Sequence, residues 1–312
     1  MSVQNSQLPA GTVFDPYTIE KTLSAGGFSI VYLAKDARND QYVVIKEYLP
    51  IKLAQRDENF KVIPRSDDCK GRLYEGRQLF LLEVSALKRL DHPNVVRITD
   101  SFDALDTVYI VMEYRPGKNL QHYVRQHPAG LSEHLIRTIF PPLLEGLGAV
   151  HNSGLLHLDI KPGNIHLQPG GQPILLDFGA VIRKNMSRSM QPRPVVTAGF
   201  SPIEQHDPKG YCGPWTDIYA IGATIRSCIE GTSPPIATER REKDKMRPAT
   251  SLFKRKYSFA LLEAIDWAME VDPLLRPQTI EGFMAAFNKT VDHSNDTVVQ
   301  RIVNHLPWVH KG

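Results

Sequence analysis

The stretch LLHLDIKPGNIHL, residues 155–167, decides how the rest of the chain is read. Asp159 and Asn164 stand five residues apart, with Lys161 between them. Thirteen residues beyond Asn164 comes LLDFGA, in which Asp177 ends an apolar strand and Gly179 lets the chain turn sharply. A carboxylate at such a strand end is a hard oxygen ligand for Mg²⁺. Moving a magnesium-bound phosphate needs a metal clamp, a cation on the phosphates and a group that orients the acceptor hydroxyl. On one tight loop Asp159 can face the acceptor, Lys161 the transferring phosphate and Asn164 the metal.

The surroundings of this stretch are those of a soluble globular chain. Of 312 residues, 42% are apolar and 23% charged, enough for one large domain or two lobes. The net charge of +3 is too small to direct the chain to nucleic acid or to an anionic membrane. Three widely spaced cysteines, Cys69, Cys212 and Cys228, form no CxxC pair, which argues against zinc and for a reducing, cytoplasmic setting. The start, MSVQNSQLPAGTVF, lacks a basic region followed by an apolar run, and no stretch reaches eighteen uninterrupted apolar residues. The expected location is the cytoplasm, either free or as the cytoplasmic part of a longer, tethered protein.

The first hundred or so residues alternate like short strands: YTIEKTL (17–23), IVYLAK (30–35), YVVIKEY (42–48), VVRITDSF (95–102) and VYIVMEY (108–114). One helical segment is marked by Phe80, Val84, Leu87 and Leu90. After Pro116-Gly117 the period becomes helical. Ser132 is the expected N-cap, and Gly154 the stop, of a helix that Pro141-Pro142 should bend. DIYAIGATIRSCIE (217–230) is apolar almost all round and predicts a buried central helix, with amphipathic helices near 258–270 and 278–288. The layout is α+β in two lobes: residues 14–114, with an insert at about 49–75; residues 115–288; and a tail or linker at 289–312, where Val298, Val299, Ile302, Val303 and Leu306 form a short stripe.

HLDIKPGN and DFG resemble the catalytic and metal-binding motifs of eukaryotic-type (Hanks-type) Ser/Thr protein kinases, and the segment SPIEQ…GPWTDIYAIGATI looks like the bacterial members. The resemblance covers roughly residues 14–288. It implies the two-lobe kinase fold: a five-stranded antiparallel sheet plus one helix in the N-lobe, and a mainly helical C-lobe. It implies ATP and Mg²⁺ as cofactors, with Mn²⁺ as an alternative metal, and protein substrates as partners, with room for a regulatory protein. VVIK resembles the VAIK strand, so Lys46 is expected on the α/β-phosphates. Glu83 matches the helix glutamate that pairs with that lysine. VMEY should be the hinge, with Met112 as gatekeeper and Glu113 and Tyr114 beside the adenine. Asp159 and Lys161 take the catalytic roles, Asn164 and Asp177 the metal. Thr197, in the RKNMSRSMQPRPVVTAGF loop, should contact Asp159 and Lys161. Glu204 should pair with Arg276, and Asp217 is the buried aspartate of the central helix.

The departures from the family pattern are local. LSAGGFSIV (23–31) lies on LGxGxFGxV: Leu23, Gly26 and Val31 stay, while Ser24 and Ser29 replace two glycines, which should weaken but not abolish phosphate binding. Val44 stands where alanine is usual. His166 stands where an apolar residue usually lies under the adenine, and either stacks there or packs at a strand end. The 37 residues from Lys46 to Glu83 are about twice the usual separation, and 49–75, LPIKLAQRDENFKVIPRSDDCKGRLYE, reads as a solvated loop. Leu158 replaces the arginine that in many members binds a phosphate on the activation loop, so activity should not depend on that phosphate. Ser187 and Ser189 remain hydroxyls for autophosphorylation, in a loop made basic by Arg183, Lys184, Arg188 and Arg193. An active Ser/Thr protein kinase is therefore the leading expectation. A pseudokinase that binds a partner is the alternative, suggested by the eroded glycine loop, and a small-molecule kinase is disfavoured by SPIEQ and Arg276.

Overall fold

A computed structural model describes residues 6–177, 182–183, 196–207 and 209–289, without the side chains of Glu83, Ala86, Ile182 and Arg183. The strands are β1 (Val13–Phe14), β2 (Tyr17–Ala25), β3 (Ser29–Asp36), β4 (Gln41–Tyr48), β5 (Ala54–Arg56), β6 (Val62–Pro64), β7 (Ile98–Ala104), β8 (Thr107–Glu113), β9 (Lys118–Asn119), β10 (Leu155–Leu156), β11 (Ile165–Leu167), β12 (Pro173–Leu175) and β13 (Ile182–Arg183). The helices are α1 (Asp67–Leu87), α2 (Leu120–Gln126), α3 (Glu133–Asn152), α4 (Ile203–His206), α5 (Pro214–Glu230), α6 (Ala237–Glu242), α7 (Ala249–Leu252), α8 (Phe259–Ala268) and α9 (Ile280–Phe287).

The N-terminal sheet has the order β1-β2-β3-β4-β8-β7, each pair antiparallel. The five expected strands are there, and the two-residue β1 adds a sixth at the edge. Strict alternation along β3 buries Ile30, Tyr32 and Ala34 on one face. On β4 the same rule separates Val43, Ile45 and Glu47 from Val44, Lys46 and Tyr48. Two cores result. One lies on the outer face of the sheet, around Ile19, Ile30, Tyr32, Ile45 and Tyr109. The other runs from α1 through Ile110 into the helical lobe.

The insert differs from the solvated loop expected of it. Residues 54–64 form the β5–β6 hairpin, turned by Asp57, whose Oδ1 accepts the N–H groups of Asn59 (2.9 Å) and Lys61 (2.8 Å). Leu49, Ala54 and Val62 are buried in the outer core. From Asp67 onward the insert is helix, because α1 begins there rather than near Phe80. A polar cluster seals the hairpin to the sheet. Glu47 is fully buried and accepts from Arg56 Nη2 (2.5 Å), Tyr32 Oη (2.8 Å) and Tyr109 Oη (2.7 Å). Arg56 also donates to the carbonyls of Ser6 (2.6 Å) and Phe60 (2.7 Å). Burial and the neighbouring carboxylate raise both tyrosine pKa values, so both phenols stay donors.

In the C-terminal lobe, Ser132 caps α3 by accepting from Leu135 N, and Gly154, at φ 80°, lies just past its end, as expected. The helix stays continuous through Pro141-Pro142, with ten of its residues buried to offset the lost hydrogen bonds. α5 is buried over Thr216–Ile229 and forms the lobe's centre.

Arg56→Met leaves the Glu47 carboxylate buried without its cation. Thermal or denaturant unfolding should register a loss of about 3 kcal/mol, and pairing it with Glu47→Leu should recover part of that loss. A single variant as stable as the parent chain would show that the cluster does not anchor the hairpin.

Candidate functional site

The loop after β10 is built around a buried carboxylate. Asp217, on α5, has no exposed surface and accepts from the backbone N–H groups of His157 (2.9 Å) and Leu158 (2.7 Å) and from His151 Nε2 (2.8 Å). Burial alone would raise its pKa, but the His151 hydrogen bond and the nearby imidazoles outweigh this and hold it below the usual carboxylate range. The two N–H bonds fix a turn in which Leu158 adopts φ 61°, a conformation leucine takes only when its surroundings enforce it. Gln205 Nε2 donates to Leu158 O (2.8 Å), and the leucine side chain, 1% exposed, packs on Leu156 and Cys212.

That turn aims Asp159. Its Oδ1 accepts from Thr197 Oγ1 (2.8 Å), and both carboxylate oxygens accept from Lys161 Nζ (2.9 and 2.8 Å). Lys161 Nζ also donates to Thr197 Oγ1 (3.2 Å). Asn164 Nδ2 donates to the carbonyl of Asp159 and to Oδ2, both at 2.9 Å. The amide nitrogen of Asn164 is thereby turned inward, and the amide oxygen is the atom left to face a cation. His157 completes the frame. Its Nδ1 accepts from Asp159 N (3.2 Å), so Nε2 carries the proton and donates to Leu176 O (3.0 Å). Burial lowers the pKa of this imidazole, in keeping with the neutral tautomer those bonds require.

Asp177 follows β12, with φ 58°. Leu176 N donates to Asn164 O (2.8 Å), joining the two segments. The Asp177 carboxylate meets Lys46 Nζ at 2.6 Å, and this ammonium holds its pKa below the usual range. The two long-separated motifs, 131 residues apart, therefore converge. Lys46 is 6% exposed, and its ammonium also lies 5.4 Å from the centre of the Phe80 ring. Asp177 and Asn164 offer a carboxylate and an amide oxygen, a hard donor set that suits Mg²⁺ or Mn²⁺. Glu83 lies on α1, but its side chain falls outside the described residues, as do Ser187, Ser189, Phe178 and Gly179.

The glycine loop joins β2 to β3. Ser24 pairs with Val31, Ser29 with Tyr48, and Gly26 N donates to Ser29 O (2.9 Å). Leu23 is exposed. The insert reaches this loop, because Leu49 N donates to Phe28 O (3.0 Å) and Ile51 N to Gly27 O (3.1 Å). Val44 and Met112 are register partners on β4 and β8, and Met112 is half-buried. Glu113 pairs with Arg115 (2.9 Å), and the Tyr114 ring lies 6.1 Å from Tyr42. His166 sits on β11, and its Nε2 lies 3.0 Å from the carbonyl of Arg115. Gly117 allows that approach, since a Cβ there would stand 2.1 Å from Leu167 O and 2.7 Å from His166 Nε2.

Glu204 and Arg276 form the expected buried pair (2.7 Å), and Thr216 Oγ1 also donates to the glutamate (2.9 Å). Sequence reasoning passed over His151, His157 and Gln205, all of which position the loop. His157 and Gln205 lie inside the motifs HLDIKPGN and SPIEQ, which is the one signal that could have marked them.

Comparison with known proteins finds protein kinases. Serine/threonine-protein kinase D of Synechocystis sp. is 28% identical over 290 residues, 89% of this chain and 53% of that protein. Serine/threonine-protein kinase STE20 of Candida glabrata is 30% identical over 281 residues, 88% of this chain and 28% of that protein. The chain thus spans about half, or less, of the length of these curated relatives. Among solved structures, the apo form of PpkA-294 matches with a TM-score of 0.80 at 34% identity, covering 91% of this chain and 100% of that one. The description "protein kinase domain" matches residues 17–287, from the first residue of β2 to the last of α9, and with the two-lobe fold and the loop geometry this places the chain in the protein kinase domain family.

Proposed function

We propose that this chain transfers the γ-phosphate of ATP to Ser and Thr hydroxyls of proteins, with Mg²⁺ as the metal. The observation that carries the reading is the Asp159 carboxylate held by Lys161, Thr197 and Asn164, within one loop of the Lys46–Asp177 pair. Asp159 orients the acceptor hydroxyl and takes its proton as the oxygen–phosphorus bond forms and the bond to ADP breaks. Lys161 and Lys46 neutralise phosphate charge, Glu83 positions Lys46, and Thr197 holds the geometry of Asp159 and Lys161. Asn164 and Asp177 hold the metal, which when bound supplies charge neutralisation at the phosphates. Leu23, Ser24, Gly26, Ser29 and Val31 cover the nucleotide. Val44, Met112, Glu113 and Tyr114 line the adenine side, with His166 acting through the hinge carbonyl.

Leu158 supports a second part of the reading. The residue before Asp159 is apolar and buried, so no cation at that position can receive an activation-loop phosphate. We therefore read activity as independent of such docking, with autophosphorylation at Ser187 or Ser189 not required for turnover. The partners are protein substrates, with a regulatory protein as a further one and no nucleic acid. No helix among the described residues is long and apolar enough to cross a membrane. A cytoplasmic setting is supported by three free cysteines, two of them buried.

The purified chain, given ATP-Mg²⁺, should phosphorylate itself and a generic basic protein, and Asp159→Asn should lower transfer by about 100-fold or more while still binding nucleotide. Nucleotide binding without transfer by the parent chain would favour the partner-binding pseudokinase instead. Phosphatase treatment of the active chain should leave the initial rate of transfer to an added substrate unchanged. A lag or loss after treatment would overturn the assignment made from Leu158.

A further inference from the structure

Helix α1 carries a glycine where a helix gains nothing from one. Gly76 lies mid-helix, and a Cβ built there would stand 2.0 Å from Tyr48 Oη and 3.0 Å from Tyr48 Cζ. The tyrosine has little freedom to step aside. It is 8% exposed, its ring lies 5.4 Å from that of Phe80, and its hydroxyl reaches Leu73 O at 3.5 Å. Tyr48 follows Lys46 by two residues on the same face of β4, and Gly76, Phe80 and Glu83 are spaced four and three residues apart along α1. The Lys46 ammonium lies over the Phe80 ring on this same interface. Two neighbouring faces thus meet: the strand face that ends in Tyr48 and the helix face that opens with Gly76.

We propose that Tyr48 and Gly76 are a positioning pair: the phenol ring, seated in the space left by the missing Cβ, sets how closely α1 approaches β4 and so the relation of Glu83 to Lys46. This rests on the reading of Lys46 and Glu83 given above. The pair touches neither nucleotide nor acceptor, and it acts through the helix. It also explains a local cost, since glycine in a helix interior is less stable than alanine. Without a packing reason, Gly76→Ala would be neutral or stabilising. With Tyr48 in place, it forces the helix outward.

The test is a double-mutant cycle on the full chain: Gly76→Ala, Tyr48→Phe and both together. It is read by transfer kinetics with ATP-Mg²⁺ and by amide hydrogen exchange across residues 67–87. Gly76→Ala should lower kcat by roughly tenfold, as expected of a sub-ångström to ångström displacement of a catalytic group, and should speed exchange across the helix. Tyr48→Phe alone should stay within about twofold of the parent, and the double variant should recover to within about threefold, because the clashing hydroxyl is gone and only the close approach to the ring carbon Cζ, 3.0 Å, remains to be absorbed. Parent-like kcat and exchange in Gly76→Ala, or a double variant as impaired as Gly76→Ala, would overturn the proposal. A parent chain that transfers no phosphate would count against the kinase reading. Exchange would then decide the pair: helix loosening in Gly76→Ala that Tyr48→Phe reverses supports it, and unchanged exchange overturns it.

Discussion

A carboxylate with no exposed surface holds the loop on which every other feature of the site depends. Asp217 is secured from three sides, by His151 and by two successive backbone N–H groups. A buried charge is stable only when its hydrogen-bonding capacity is met, and here meeting it dictates the backbone. Donation from both His157 and Leu158 requires a reversal that puts Leu158 at φ 61°. The strain of that residue, of order 1–2 kcal/mol, is offset by its own N–H bond, by Gln205 on its carbonyl and by burial of its side chain. Asp159 then leaves the turn in one direction only, toward Lys161, Thr197 and Asn164. The Asp159 carboxylate is aimed by a second carboxylate that never meets solvent.

The same construction explains why a leucine can stand where a basic residue is common in the family. The backbone at 158 is fixed by hydrogen bonds that any residue could make, so the side chain is free to serve another purpose. It fills a small apolar contact with Leu156 and Cys212. That contact links the loop to the segment preceding α5. Leucine joins the neighbouring backbone elements by packing.

Much of this was legible in the sequence because it is local. The 155–167 motif carries Asp159, Lys161 and Asn164 in one run, the alternation in 30–35 and 42–48 fixes strand faces, and Ser132 and Gly154 mark a helix from its ends. The insert was not legible, for a physical reason. Its strands are three residues long, too short for a period to show, and its key charge, Arg56, sits in a run, QRDENFK, that reads as solvated surface. The Arg56 side chain is 4% exposed only because folding brings Glu47 and two tyrosines from three different strands around it. The early start of α1 was hidden for a related reason: its first turns, DDCKGRLYEGR, are largely polar, with Cys69 buried and Leu73 packed against the cores. Nor could spacing reveal that His166 serves the Arg115 carbonyl, since that bond spans 51 residues.

Strand β4 is where these parts meet. Its outward face, Val43, Ile45 and Glu47, lies under the hairpin, and its inward face presents Val44 and Lys46 to the cleft and Tyr48 to α1. Immediately beyond the strand, Leu49 and Ile51 donate to the carbonyls at the tip of the glycine loop, at Phe28 and Gly27. A loop that has serines at two family glycine positions thus has its backbone tied to the insert, so its shape depends less on glycine freedom and more on an added pair of hydrogen bonds. Leu73 packs against both cores at once, so the helix cannot shift without disturbing the outer layer. The insert therefore couples three parts that serve the nucleotide phosphates in the proposed reaction: the covering loop, the strand of Lys46 and the helix of Glu83. Cores transmit displacement because they are close-packed, and in this chain the packing that does so is centred on residues 47–51.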